Sequence, residues 1–153
     1  MTRWERVRTW LNWVNLTSVA GLVVALAGRA RLTAAPRGMI IAGEYRLPVP
    51  TAVCFTMGNL VLCRHPATWL LADSRTRLLA HEERHVSQYA ICGPLFWPLY
   101  ALASGWSWLI CGGYAAHNPF ERHAGLTAGG YTDIPVRAWL ARLIEPLRWR
   151  RPR

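Results

Sequence analysis

Leu79-Ala80-His81-Glu82-Glu83-Arg84-His85-Val86-Ser87-Gln88 contains the pattern His-Glu-x-x-His. On a helix, residues four apart share one face, a single turn along the axis. His81 and His85 are therefore placed to bind one metal ion together. Glu82 lies one step round the helix, beside any open coordination position, where it can take a proton from water. Two imidazoles suit zinc, and a third protein ligand with a water completes a tetrahedral catalytic site. The alternative is a helix with two hydrogen-bonded histidines and a solvated Glu-Arg face.

A third ligand is offered downstream by Asn118-Pro119-Phe120-Glu121-Arg122-His123-Ala124. Glu121 is the candidate, with His117 and His123 as substitutes. Glu121 also has a structural explanation. Asn118 is a good N-cap, Pro119 fits the first helical position and Glu121 falls third, which makes a capping box. Cap and ligand both stay open at this point.

Together, His81-Glu82-x-x-His85, Gln88 and the later Asn-Pro-x-Glu-x-x-Ala resemble the small gluzincin-type metallopeptidase-like domains. More closely, the run from Leu79 to Tyr131 resembles a group of actinobacterial proteins with the same two motifs. The resemblance implies that His81, His85 and Glu121 hold zinc and that Glu82 is the general base. It also implies that the strand before the metal helix offers its edge to a substrate backbone. Glu83-Arg84 stands where active peptidases carry small or apolar residues. Gly125 stands where many relatives carry an Asp that supports a metal ligand. Both features fit an alternative, a non-catalytic membrane-associated domain that keeps a zincin-like scaffold.

The chain has 153 residues, enough for one real core, with 52% hydrophobic residues and nine Trp. A formal net charge of +10 comes from 18 Arg and no Lys against 8 acidic residues. Such a balance suits nucleic acid or an anionic membrane surface. No segment resembles a nucleic-acid module, and the Trp content with two long uncharged stretches favours the membrane. Cys54, Cys63, Cys92 and Cys111 lack the paired spacing of a structural zinc site and read as buried thiols.

In chain order, Trp4, Val7, Trp10, Leu11 and Val14 form one helical stripe among Arg3, Arg6 and Arg8. An apolar run follows from Val19 to Ala27. A membrane-associated helix is the preferred reading. A signal peptide ending near Ala25-Leu26-Ala27 and a transmembrane anchor are the alternatives. Residues 28–37 read as a linker. Met39–Ala42 is a short strand that Glu44–Leu47 extends. Val53–Met57 and Leu60–Cys63 flank Gly58-Asn59, a two-residue hairpin turn. In that register Phe55, Met57, Leu60 and Leu62 share one face, and Cys54 lies opposite Cys63.

The metal helix begins with Asp73 or Ser74 as N-cap and stops at Cys92-Gly93-Pro94. Val86 to Phe120 carries no charged residue. A straight span there would carry Glu121 about 30 Å from His85, so a Glu121 ligand requires this segment to turn back, dip into the interface or pack as core. Residues 119–127 form the Glu121 helix, ended by Gly129-Gly130. A last amphipathic helix follows Pro135, and Arg148, Arg150, Arg151 and Arg153 make a basic tail.

The expected architecture is α+β and mostly helical. Residues 1–35 form the membrane-associated helix and linker. Residues 36–134 form a zincin-like minimal domain with a small antiparallel sheet, and residues 135–153 the C-terminal helix and tail. The expected function is a membrane-associated zinc-dependent metallopeptidase acting on a peptide or protein. Zinc is the expected cofactor and a membrane surface the expected partner. Nucleic acid is not expected, and the site would be the cytoplasmic side of the membrane.

Overall fold

The computed structural model describes residues 1–140 and 142. The chain forms two compact units, one ending at Trp97 and the other beginning at Pro98.

The first unit opens with helices α1 (Arg3–Val14) and α2 (Thr17–Ala27), which meet at a bend of 71°. Strands β1 (Arg31–Ala34), β2 (Ile40–Gly43), β3 (Cys54–Met57) and β4 (Leu60–Cys63) form one sheet in the order β1-β2-β4-β3. Helix α3 (Ala67–Leu70) and a 3-10 turn at Asp73–Arg75 lead into the long α4 (Thr76–Cys92). Gly93 ends α4 at φ 56°, where a side chain would be strained. The next helix, α5 (Phe96–Cys111), starts in this unit and continues into the second. A short helix α6 (Pro119–Ala124) then follows.

The hairpin has the expected register, with Cys54 opposite Cys63, Phe55 opposite Leu62 and Met57 opposite Leu60. Gly58 makes the turn at φ 60°, and a Cβ there would stand 2.4 Å from the Ser18 nitrogen. Both the turn and the approach of α2 thus require glycine. The Cys54 and Cys63 sulfurs are 2.8 Å apart. The Cys54 thiol donates to Cys63, which pushes the Cys54 pKa up, with burial adding to it. Accepting that bond pulls Cys63 down.

The sheet is not the antiparallel one expected. β2 runs parallel to β4, so the sheet is mixed, and β1 adds a fourth strand inside the supposed linker. All four β1 residues are exposed, so the strand buries no apolar face that would single it out from a linker. β2 ends at Gly43, and Glu44 turns the chain out at φ 59° instead of extending the strand.

β4 explains its own unbroken apolar run, because it is covered on both faces. Val61 and Cys63 pack with Ile41, Leu70 and Val86 on the α4 side. Leu60 and Leu62 pack with Ala25, Ala42 and Tyr45 on the α2 side. α2 is therefore a covering helix of the sheet along one face.

α1 is docked through polar contacts. Glu5, Arg8, Thr9, Asn12 and Asn15 recur at helical spacing on its inward side, and Arg8 and Asn12 are buried. Arg8 pairs with Glu83 of α4 at 2.8 Å and donates to Ser87 Oγ at 3.1 Å. Glu83 also pairs with Arg37. Asn12 donates to the Val86 carbonyl at 3.0 Å and to Asn59 Oδ1 at 2.9 Å. Asn59 donates through its side chain to the Thr9 carbonyl at 2.8 Å and through its backbone to Ser18 at 2.9 Å. One turn residue thus ties the hairpin to both N-terminal helices.

The Arg8–Glu83 pair has a measurable consequence. Arg8→Met keeps the length of the side chain but removes the buried partner of Glu83, which is itself partly exposed and keeps Arg37. It should lower stability by about 1.5–3 kcal/mol, the usual effect of losing a hydrogen bond to a charged group. Urea unfolding of the two proteins reads this directly, and equal midpoints would show that the pair is not a stabilising element.

No single helix among the described residues is long and apolar enough to cross a membrane. α1 with α2 reaches that length and hydropathy only as a bent pair. Residues 138–140 are helical, but most of the expected C-terminal amphipathic helix and the whole basic tail lie outside the described residues.

Candidate metal centre

α4 is held on several sides, and each stripe of it does different work. Val86 packs into the core against the sheet. Glu83 and Ser87 meet α1. His81, His85 and Gln88 form a further stripe, and all three are buried, as is Glu82. The His-Glu-x-x-His spacing thus sits on a helix, as the sequence predicts.

The two imidazoles converge. His81 Nε2 and His85 Nε2 are 3.1 Å apart. Gln88 Oε1 lies 2.7 Å from His85 Nδ1 and accepts its proton. That bond fixes the tautomer and leaves the Nε2 lone pair of His85 directed at His81. Two lone pairs at that separation repel unless a proton or a metal cation lies between them. Donor atoms about 2.0–2.1 Å from a tetrahedral ion stand about 3.3 Å from one another, close to the distance observed. The Phe96 ring closes one side, its centroid 6.2 Å from that of His85 and 4.2 Å from that of Tyr89.

Glu82 has a defined position too. Its Oε2 accepts a hydrogen bond from Thr56 Oγ1 of β3 at 2.7 Å, inside the protein. β3 is an outer strand of the sheet. The Glu82 carboxylate is thus held in one orientation by the strand β3 that precedes α4. Sequence reading did not single out Thr56. Its position on the face of β3 opposite Phe55 and Met57 was the available signal.

In the second unit, Asn118 caps α6. Its Oδ1 accepts from the Phe120 amide at 2.9 Å, and its Nδ2 donates to Ser104 Oγ at 3.0 Å. The cap therefore forms at the second helical position, and the expected capping box with Glu121 is replaced. The Glu121 carboxylate accepts instead from Tyr100 Oη at 2.5 Å. Burial, and then the negative charge of Glu121, push the Tyr100 pKa up, so the hydroxyl stays a donor at neutral pH. Helix α6 stops at Gly125, with φ 94°, earlier than the Gly129-Gly130 end expected. The Gly125 position serves as a helix stop. His117 is used structurally, its Nε2 lying 2.8 Å from the Ile134 carbonyl.

His81, His85 and Glu121 form a buried group that could hold a metal ion, with one ligand atom from each lying within 4.8 Å of the others. Two imidazole nitrogens and one carboxylate oxygen are a fitting donor set for a divalent first-row metal. Neither His117 nor His123 belongs to the group. Burial of these residues also fits a cation, because a carboxylate out of water requires a compensating charge or hydrogen bonds.

Comparison with known proteins finds no family, curated protein or solved structure that matches this chain. The likeness to gluzincins therefore stands on the motif residues themselves.

Proposed function

We propose that this protein is a membrane-associated, zinc-dependent peptidase. The observation that carries the reading is the buried His81, His85 and Glu121 group, with the buried Glu82 next to His81 in the chain. His81 and His85 would bind zinc through Nε2, with Gln88 fixing the ring of His85. Glu121 would supply the third ligand, because the Asn118 N–H that a capping-box Glu121 would accept from goes to the Ala115 carbonyl instead. When bound, zinc supplies Lewis acidity, polarising a carbonyl and acidifying a water.

The remaining steps belong to the chain. Glu82 takes the proton of the attacking water and passes it to the leaving amine. Thr56 holds the Glu82 carboxylate in place for that transfer. An extended substrate backbone can add to the outer strand β3, which brings it alongside the residue that touches Glu82. Glu83, at odds with the usual small residue of the motif, is accounted for by its pairing with Arg8 and Arg37. Its charge docks α1 and leaves the metal-facing stripe unaltered.

The test uses full-length protein, measured for zinc by elemental analysis and then offered a broad peptide library. About one zinc per chain and cleavage that stops on chelation and returns with zinc are expected. Zinc-loaded protein that cleaves nothing would put the non-catalytic scaffold ahead.

A further inference from the structure

The N-terminal helices have their polarity reversed. A surface helix of a globular protein buries its apolar stripe and exposes its polar one. In α1 the buried side chains are Arg8 and Asn12, whereas Trp4, Trp10 and Val14 are exposed. Trp10 retains 62% of its surface. In α2 the buried residues are Thr17, Ser18, Gly21 and Ala25, and the exposed ones include Val19, Val23 and Leu26. The inward polar groups are bonded to α4 and to Asn59 of the hairpin turn, so the arrangement is polar inside and apolar outside. The second unit repeats the pattern on α5, where Ser107 is buried while Leu102 and Trp106 are exposed.

We propose that the outer face of α1 and α2 docks onto an anionic lipid bilayer, with both helices lying in the interface. The proposal stands on these helices alone and is independent of the metal reading. A lipid surface is the occupant that matches the chemistry. Trp and aliphatic side chains enter the headgroup–acyl boundary, where amphipathic rings are favoured. Arg3 and Arg6 are exposed beside Trp4 and Val7, and Arg29 and Arg31 are exposed just past the end of α2. These guanidinium groups meet anionic headgroups, in keeping with the formal charge of +10. The 71° bend breaks the pair as a straight span, which favours two helices lying flat. Because α1 is bonded to α4 through Arg8 and Asn12, docking would hold the helix of His81 and His85 at the membrane surface.

The experiment is flotation of the full-length protein with phosphatidylcholine vesicles, made with and without phosphatidylglycerol. The protein should float with the phosphatidylglycerol vesicles, less well as salt is raised, and more weakly with phosphatidylcholine alone. Trp10→Glu with Val23→Glu removes two outward apolar groups that touch no buried network. Binding should fall by about tenfold or more, the effect of losing one or two inserted side chains. The thermal midpoint of this variant should match the wild type, which separates lost docking from lost folding. Three results would overturn the proposal. One is wild-type protein that stays below the vesicles, and a second is a variant that floats as well as wild type. The third is a lipid-free dimer that shields these tryptophans and ignores vesicles, which would assign the face to a second copy of the chain.

Discussion

His81→Ala and His85→Ala should each leave the purified protein without stoichiometric zinc, while the wild type carries about one ion per chain. The expectation follows from the geometry. The two Nε2 atoms are 3.1 Å apart, and Glu121 lies in the same buried group. Removing either imidazole leaves two protein donors, too few for a closed three-ligand site. Gln88→Ala is the graded companion. Gln88 bonds to His85 at Nδ1, the ring nitrogen opposite the one that faces His81, so its loss should weaken zinc by about 10–100-fold without abolishing it. Elemental analysis after dialysis against a weak chelator measures all three. Full zinc in either histidine variant would remove the proposed centre, and an equal loss in Gln88→Ala and His81→Ala would make Gln88 a direct ligand.

The central helix was readable because its signals are local. The histidine spacing, the apolar packing residue Val86 and the Gly93 stop all lie within one element. The hairpin was readable for the same reason, its turn glycine and alternating faces being adjacent in sequence. What escaped reading depends on long-range placement. The stripe Trp4-Val7-Trp10-Val14 is visible as periodicity, but periodicity does not say which face points inward. Only the partners of Arg8 and Asn12, more than 70 residues away on α4, decide that. β1 and the parallel pairing of β2 with β4 are likewise set by tertiary neighbours. At Glu121 the capping box and a ligand look identical in sequence. The structure decides the cap alone: the Asn118 N–H goes to the Ala115 carbonyl, and the Glu121 carboxylate accepts from Tyr100.

Glu82→Gln should retain zinc and reduce peptide hydrolysis by about 10²–10⁴-fold, the usual contribution of a positioned base. The substitution is close to neutral for structure. Glutamine keeps the shape of the side chain, and its amide oxygen can still accept the Thr56 hydroxyl that Glu82 Oε2 accepts at 2.7 Å. It cannot accept a proton from water near neutral pH, so the loss should fall on kcat with the metal intact. Glu121→Gln should differ in kind. It replaces a charged donor of the buried metal-capable group by a neutral one, so zinc affinity itself should drop and activity should recover at high zinc. Added zinc cannot rescue Glu82→Gln if its role is proton transfer. The two variants, each assayed for metal and for hydrolysis across a zinc titration, therefore separate base from ligand. Glu82→Gln losing zinc as completely as His81→Ala would make Glu82 a ligand or a structural residue, and the mechanism would have to find its base elsewhere.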